Sequence, residues 1–245
     1  MITTKNTLAD VVKSNYRAAV ILQQHGLDFC CGGKATIEES CAKNHLDSEE
    51  LLHELNALSL RDVAAAINRW EEWDLEFLIE YIKRNHHMYI RNSIPVIIRH
   101  LQKVRDKHGM RHQELVQIFD VFLALCEDLL EHLGKEEQVL FPYVKKLLRL
   151  QQAKLPQTNA PFASITSPIA VLEAEHERAG NLMITVRSLT NNYQAPANAC
   201  NTFRLVYDEL AEFDKDLMQH TFLENHILFP KSIELEKEIT SYTKQ

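Results

Sequence analysis

One pattern occurs twice in this chain and limits what it can become. His132-Leu-Gly-Lys-Glu136-Glu-Gln-Val-Leu-Phe-Pro142 returns as His220-Thr-Phe-Leu-Glu224-Asn-His-Ile-Leu-Phe-Pro230. Both copies read His-x-x-x-Glu-x-x-x-Leu-Phe-Pro, an internal repeat that chance does not readily produce. Each copy follows another histidine at nearly the same distance: His87 lies 45 residues before His132, and His176 lies 44 before His220. The spacing predicts two related helix pairs.

Residues four apart share one face of a helix, so each copy sets an imidazole beside a carboxylate. That face is the apolar one. The stripe Phe122, Leu125, Leu129, His132, Glu136, Leu140 carries the first copy, and Phe213, Leu217, His220, Glu224, Ile227 carries the second. A third stripe, Ile169, Leu172, His176, Ala179, Met183, Val186, holds a further histidine among core positions. In the first long segment, opened by Asp74 as an N-cap, Leu75, Ile79, Ile82, Ile90, Ile94, Ile97 and Leu101 form the stripe. His86 and His87 both fall near it, and periodicity does not choose between them.

The four segments run from 75 to about 101, 112 to 150, 169 to 190 and 199 to 238, which makes an all-α chain containing a four-helix bundle. Pro95 is expected to kink the first segment, and residues 151–168, with Pro156, Pro161 and Pro168, form a connecting loop. No strand-period segment competes with this reading. Residues 1–58 read as a small helical domain of short helices broken at Gly26, at Gly32-Gly33 and near Asn44 to Ser48. A linker is expected over 59–74 and the bundle over 75–245. Trp70 and Trp73 are expected to pack that junction.

A net charge of -7 and the absence of any Lys/Arg-rich run argue against nucleic acid as a partner. The first residues lack the apolar core of a signal peptide, and no stretch approaches the ~20 apolar residues of a membrane helix. A cytoplasmic protein without membrane contact is the expectation. Five cysteines are an odd number without a disulfide spacing, which suits a reducing compartment.

A lone His–Glu pair would most simply be an exposed intrahelical pair. Two copies on apolar stripes are harder to explain that way, because a buried unpaired carboxylate costs several kcal/mol and seeks a cation. Imidazole and carboxylate donors without thiolate suit Fe, Mn or Zn. Four histidines and two glutamates exceed what one tetrahedral zinc needs, so two ions sharing the carboxylates use the set more naturally. Six-coordinate ions would leave roughly two of about 12 positions open. No catalytic constellation for an organic substrate is present, which argues against an enzyme, although redox chemistry at a di-iron pair stays open.

With these motifs in hand, residues 75 to 238 resemble the hemerythrin-like bundle. Residues 1 to about 58, with Asp28-Phe29-Cys30-Cys31-Gly32-Gly33-Lys34, resemble the N-terminal module of the ScdA-type iron-sulfur cluster repair di-iron proteins. The resemblance implies metal ligands at His87, His132, Glu136, His176, His220 and Glu224. His87 is preferred to His86 by counting back from Pro95, and His86, His108 and Glu175 are candidates for the surrounding shell. It implies two iron ions per chain, oxo- and carboxylate-bridged, and repair of clusters damaged by oxidative and nitrosative stress through iron donation or nitric oxide handling. Damaged or apo iron-sulfur proteins would be the partners, nitric oxide or oxygen the small molecules at the site; a homodimer stays open. The alternative is an oxygen or nitric oxide sensor or carrier of the hemerythrin class. Oxygen-carrying hemerythrins place a histidine four residues after the third-helix ligand, where this chain has Gly180.

Cys30 and Cys31 are adjacent and cannot chelate one ion as a Cys-x-x-Cys loop does, and a vicinal disulfide would be strained. A thiol relay for iron or nitrosyl groups, helped by a helix expected near Ala35 to Ser40, stands beside a simple packing role. Cys41, Cys126 and Cys200 are expected to pack, and His25, His45, His53, His112 and His226 to be solvated or capping.

Overall fold

The computed structural model describes residues 2–61, 70–155 and 161–242; Pro156 and the middle of the expected linker lie outside them. The chain divides into two compact units that do not follow chain order: residues 1–74 with 221–230, and residues 75–220 with 231–245. Among the described residues all regular structure is helical, apart from one isolated antiparallel bridge between Thr7 and Thr36.

The first unit contains α1 (Leu8–Ser14), α2 (Ala18–Gln24), α3 (Ile37–Asn44) and α4 (Ser48–Arg61), then a 3-10 turn, Trp70–Glu72. These helices are too short to persist without help, and local devices fix their ends. The Thr7 side chain accepts the Asp10 N–H, and Thr36 and Glu39 form a capping box that starts α3. Gly26 takes a positive φ of 70° where α2 ends, a conformation open to glycine without a Cβ penalty. Trp70 is buried, packing at 4.9 Å against the Tyr16 ring and at 5.9 Å against Phe222.

The bundle's helices are α5 (Leu75–Tyr81), α6 (Met88–His108), α7 (Glu114–Lys135), α8 (Phe141–Ala153), α9 (Thr166–Leu189), α10 (Asn201–Leu223) and α11 (Phe229–Tyr242). α5 and α6, α7 and α8, and α10 and α11 are each joined without a loop by a wide π-helical turn, over Ile82–His87, Glu136–Leu140 and Glu224–Leu228. In each wide turn an N–H reaches back five residues: Met88 to Lys83, Phe141 to Glu136 and Phe229 to Glu224. Pro142 and Pro230 explain two of them. Proline brings no N–H to the carbonyl four residues earlier, so the ladder re-registers locally. α6 passes through Pro95 as one helix, and the departure from regular helix comes upstream, at 82–87.

The apolar stripes meet in one core that includes Ile90, Leu101, Leu115, Phe122, Leu129, Met183, Val206 and Phe213. Phe122 and Phe213 pack edge to face at 5.3 Å, a favoured aromatic geometry. One charged pair sits at the edge of that core. Arg187 holds the buried Asp214 through two bonds, Nε to Oδ2 at 2.6 Å and Nη2 to Oδ1 at 2.8 Å, and the Tyr193 hydroxyl donates to Oδ2 at 2.9 Å. Burial first, then the Asp214 charge, pushes the Tyr193 phenol far up, so it stays a donor. Removing the carboxylate would strand its partners. Asp214→Ala is expected to lower stability by about 3 kcal/mol, the low end for a broken buried pair because Arg187 keeps some solvent. Urea unfolding measures this, and a loss below about 0.5 kcal/mol would class the pair with ordinary surface bridges.

Candidate metal centre

Each member of the repeat occupies a special place on its helix. His132 and His220 lie in the last turns of α7 and α10, Glu136 and Glu224 open the wide turns that follow, and His87 closes the wide turn before α6. His176 lies in the middle of α9. None of the six is more than 2% exposed. Carboxylates so deep in an apolar interior need compensation by positive charge.

The geometry centres on Glu136. Its Oε2 lies 3.3 Å from His87 Nε2 and 3.5 Å from His132 Nε2, so two imidazoles from different helices aim at one oxygen. His176 Nε2 is 2.9 Å from His132 Nε2, and the His87 and His220 rings meet at 5.0 Å. Ligand atoms of His87, Glu136 and His220 all lie within 4.8 Å of one another, and so do those of His132, Glu136 and His176. One carboxylate is therefore common to two His pairs. Glu224 is fully buried one helical turn beyond His220 on the same continuous helix. The nitrogen and oxygen donor set fits a hard to borderline divalent or trivalent cation.

The outward nitrogens are braced. His87 Nδ1 donates to Glu137 Oε1 at 2.8 Å, and the same oxygen takes Arg91 Nη1 at 2.7 Å. His132 Nδ1 donates to Glu175 Oε2 at 2.9 Å, while Lys135 Nζ holds Glu175 Oε1 at 2.6 Å. These bonds put the proton on Nδ1 and leave Nε2 for a metal. Burial alone would push both carboxyls up; hydrogen bonds from Arg91 and His87, and from Lys135 and His132, outweigh it and hold both below the usual carboxylate range.

His86 lies beside the cluster. Its Nδ1 meets Asp216 Oδ1 at 2.9 Å, its ring stacks on His220 at 5.7 Å, and its Nε2 has no hydrogen-bond partner among the described residues. His108, expected in the surrounding shell, is elsewhere. It ends α6, on the order of 30 Å along the helix from His87, with Nε2 3.4 Å from Cys200 Sγ. Glu137, Arg91, Lys135 and Asp216 escaped the sequence reading. Only Glu137 left a signal there, as the residue after Glu136, and the second copy has Asn225 instead.

The Cys30 thiol is buried and donates to Asp28 Oδ1 at 3.0 Å, with Cys31 Sγ 4.0 Å away. The hydrogen bond with Cys31, burial and the Asp28 charge push it well above the ordinary thiol range. A protonated thiol is a poor ligand and a poor nucleophile, which weighs against a relay through Cys30. Cys41 and Cys126 are buried, and burial pushes the Cys126 thiol up to about 12. His226, expected to be solvated or capping, is instead buried with Nε2 2.8 Å from the Cys30 carbonyl oxygen.

Helices that focus buried imidazoles and carboxylates on one point are the architecture of hemerythrin-type proteins, and the hemerythrin HHE cation binding domain family matches residues 78–232. Residues 4–59 match ScdA_N, a domain of unknown function. The iron-sulfur cluster repair protein ScdA of Staphylococcus haemolyticus (strain JCSC1435) is 32% identical over 231 residues, covering 94% of this chain and 99% of that protein. The iron-sulfur cluster repair protein YtfE of Yersinia pestis (strain Pestoides F) is 35% identical over 217 residues, covering 89% and 91%. The chain belongs to this hemerythrin HHE family, in the branch of the ScdA and YtfE proteins.

Removing one brace should loosen a candidate ligand without deleting it. Glu137→Gln and Glu175→Gln are each expected to weaken metal binding about 10–100-fold, while His108→Ala leaves it unchanged. Chelator competition reads all three; equal affinities for the two Gln variants and the parent would remove the braces from the site.

Proposed function

We propose that the chain holds a pair of iron ions and serves, in the cytoplasm, to repair iron-sulfur clusters damaged by oxidative and nitrosative stress. The observation that carries this reading is the sharing of Glu136 between two His pairs. His87 and His220 would hold one ion and His132 and His176 the other, with Glu136 common to both pairs and Glu224, buried one turn beyond His220, as the second expected carboxylate. The names of the ScdA and YtfE relatives supply the repair role. Iron-sulfur proteins that have lost or damaged their clusters would be the clients.

When bound, the ions would supply redox-active, exchangeable iron with room for a small diatomic molecule such as nitric oxide or oxygen. The residues of this chain tune that behaviour. Position 180, four after His176, is glycine and adds no imidazole, which favours release over tight retention. The buried walls exclude bulk water, and the Nδ1 braces keep each Nε2 aimed inward. Among the described residues no helix is long and apolar enough to cross a membrane.

Metal analysis after iron loading is expected to find about two irons per chain. Glu136→Ala and Glu224→Ala should each lose more than one iron's worth of occupancy, because each carboxylate would serve both ions; loss of a single independent ion would mean two unlinked sites. Iron-loaded protein mixed with an apo iron-sulfur enzyme should restore its activity, and Gly180→His should slow that recovery by adding a donor on the same face. No recovery by the loaded parent protein would shift the reading to a nitric oxide or oxygen sensor or carrier.

A further inference from the structure

The Asp28-to-Gly33 segment is the one motif that the metal centre leaves unexplained, and its contacts account for it residue by residue. Asp28 folds the segment on itself: Oδ1 accepts the N–H groups of Cys30 and Cys31 at 3.0 Å each, and Oδ2 accepts that of Gly32 at 3.1 Å. With those N–H groups satisfied inside the loop, the Cys30 carbonyl is left to receive partners. Two arrive from the turn that carries Glu224. Asn225 Nδ2 donates to the Cys30 carbonyl oxygen at 3.2 Å and His226 Nε2 donates to it at 2.8 Å, both side chains being buried.

Gly33 makes that approach possible. A Cβ there would stand 2.6 Å from His226 Nε2 and would collide with the Phe29 carbonyl. Phe29 packs edge to face on Phe222 at 6.0 Å, and Phe222 lies 5.2 Å from the His226 ring. The Gly33 carbonyl accepts the Ala9 N–H at 2.9 Å, which ties the loop to the start of α1. The contacts between the loop and the Glu224–Leu228 turn use the Cys30 carbonyl and not its thiol, which bonds within the loop to Asp28 and Cys31. This explains why 221–230 belongs to the same compact unit as the N-terminal helices.

We infer that the Asp28–Gly33 loop is a clasp on the Glu224–Leu228 turn, acting through the Cys30 carbonyl and the bare Cα of Gly33, and that Asn225 and His226 are positioning residues for Glu224. The inference rests on the metal reading above for its consequence, but the contacts of the clasp itself involve protein groups alone. A wide turn departs from the regular i→i−4 ladder, so a tether on the two buried polar residues that follow Glu224 fixes which way that carboxylate is presented. The paired turn at Glu136–Leu140 has Glu137 and Gln138 at the equivalent places, and Glu137 is tied to His87 and Arg91 instead.

The test uses the full chain in four forms: parent, His226→Leu, His226→Gln and Cys30→Ser. Hydrogen exchange on the metal-free proteins is expected to show the amides of 224–228 losing at least tenfold protection in His226→Leu, with those of 136–140 unchanged. His226→Gln keeps a donor and should recover most of the protection, and Cys30→Ser keeps the carbonyl and should resemble the parent. After iron loading, His226→Leu should bind iron about 10–100-fold more weakly and show an altered iron absorption spectrum, again rescued by His226→Gln. Unchanged exchange at 224–228 in His226→Leu, or an equal loss in Cys30→Ser, would overturn the clasp. If the parent itself held no iron pair, the metal reading would fall while the exchange result still decided the clasp.

Discussion

The site depends on one burial: the Glu136 carboxylate, with no solvent exposure, shared by the Nε2 atoms of His87 and His132. An ionised carboxylate in such a place is stable only beside positive charge. Its neighbours are imidazoles whose outward nitrogens are already engaged by Glu137 and Glu175, which leaves their inward nitrogens facing the carboxylate. A cation satisfies the whole set at once. Helix packing, the wide turns and the braces all serve to keep that arrangement in place.

A π-helical turn rotates the side chains that follow relative to a regular helix, and in α7 and α10 it begins at the glutamate of each repeat. The histidine before it stays on the regular ridge while the chain beyond is re-phased. The two Leu-Phe-Pro endings therefore have a purpose: a proline without an N–H permits the re-phasing that starts at the glutamate. This links the most visible sequence repeat to a local backbone departure and, through it, to the placement of the buried histidines and glutamates.

Much of this was legible beforehand because helical periodicity reports burial directly. The stripes through Phe122, Leu125 and Leu129, and through Phe213 and Leu217, placed their histidines and glutamates inside, where they are. Periodicity could not separate His86 from His87, since both are buried and only contacts distinguish them: His86 meets Asp216, and His87 meets Glu136 and Glu137. The wide turns left no signal in the sequence, because apolar residues on both sides of them, such as Leu129 and Leu140, are buried alike. His226 was misjudged for a different reason: its partner, the Cys30 carbonyl, is 196 residues away, and no local pattern announces a backbone acceptor. His108 was placed near the site by resemblance, although helix length alone separates it from His87.

Anomalous diffraction at the iron edge from crystals of the iron-loaded chain tests the shared-carboxylate site most directly. Two peaks about 3.5–4 Å apart are expected, one beside His87 and His220 and the other beside His132 and His176, with Glu136 in bonding contact with both. A single peak, two peaks without a common carboxylate, or iron at Cys30 and Cys31 would contradict it.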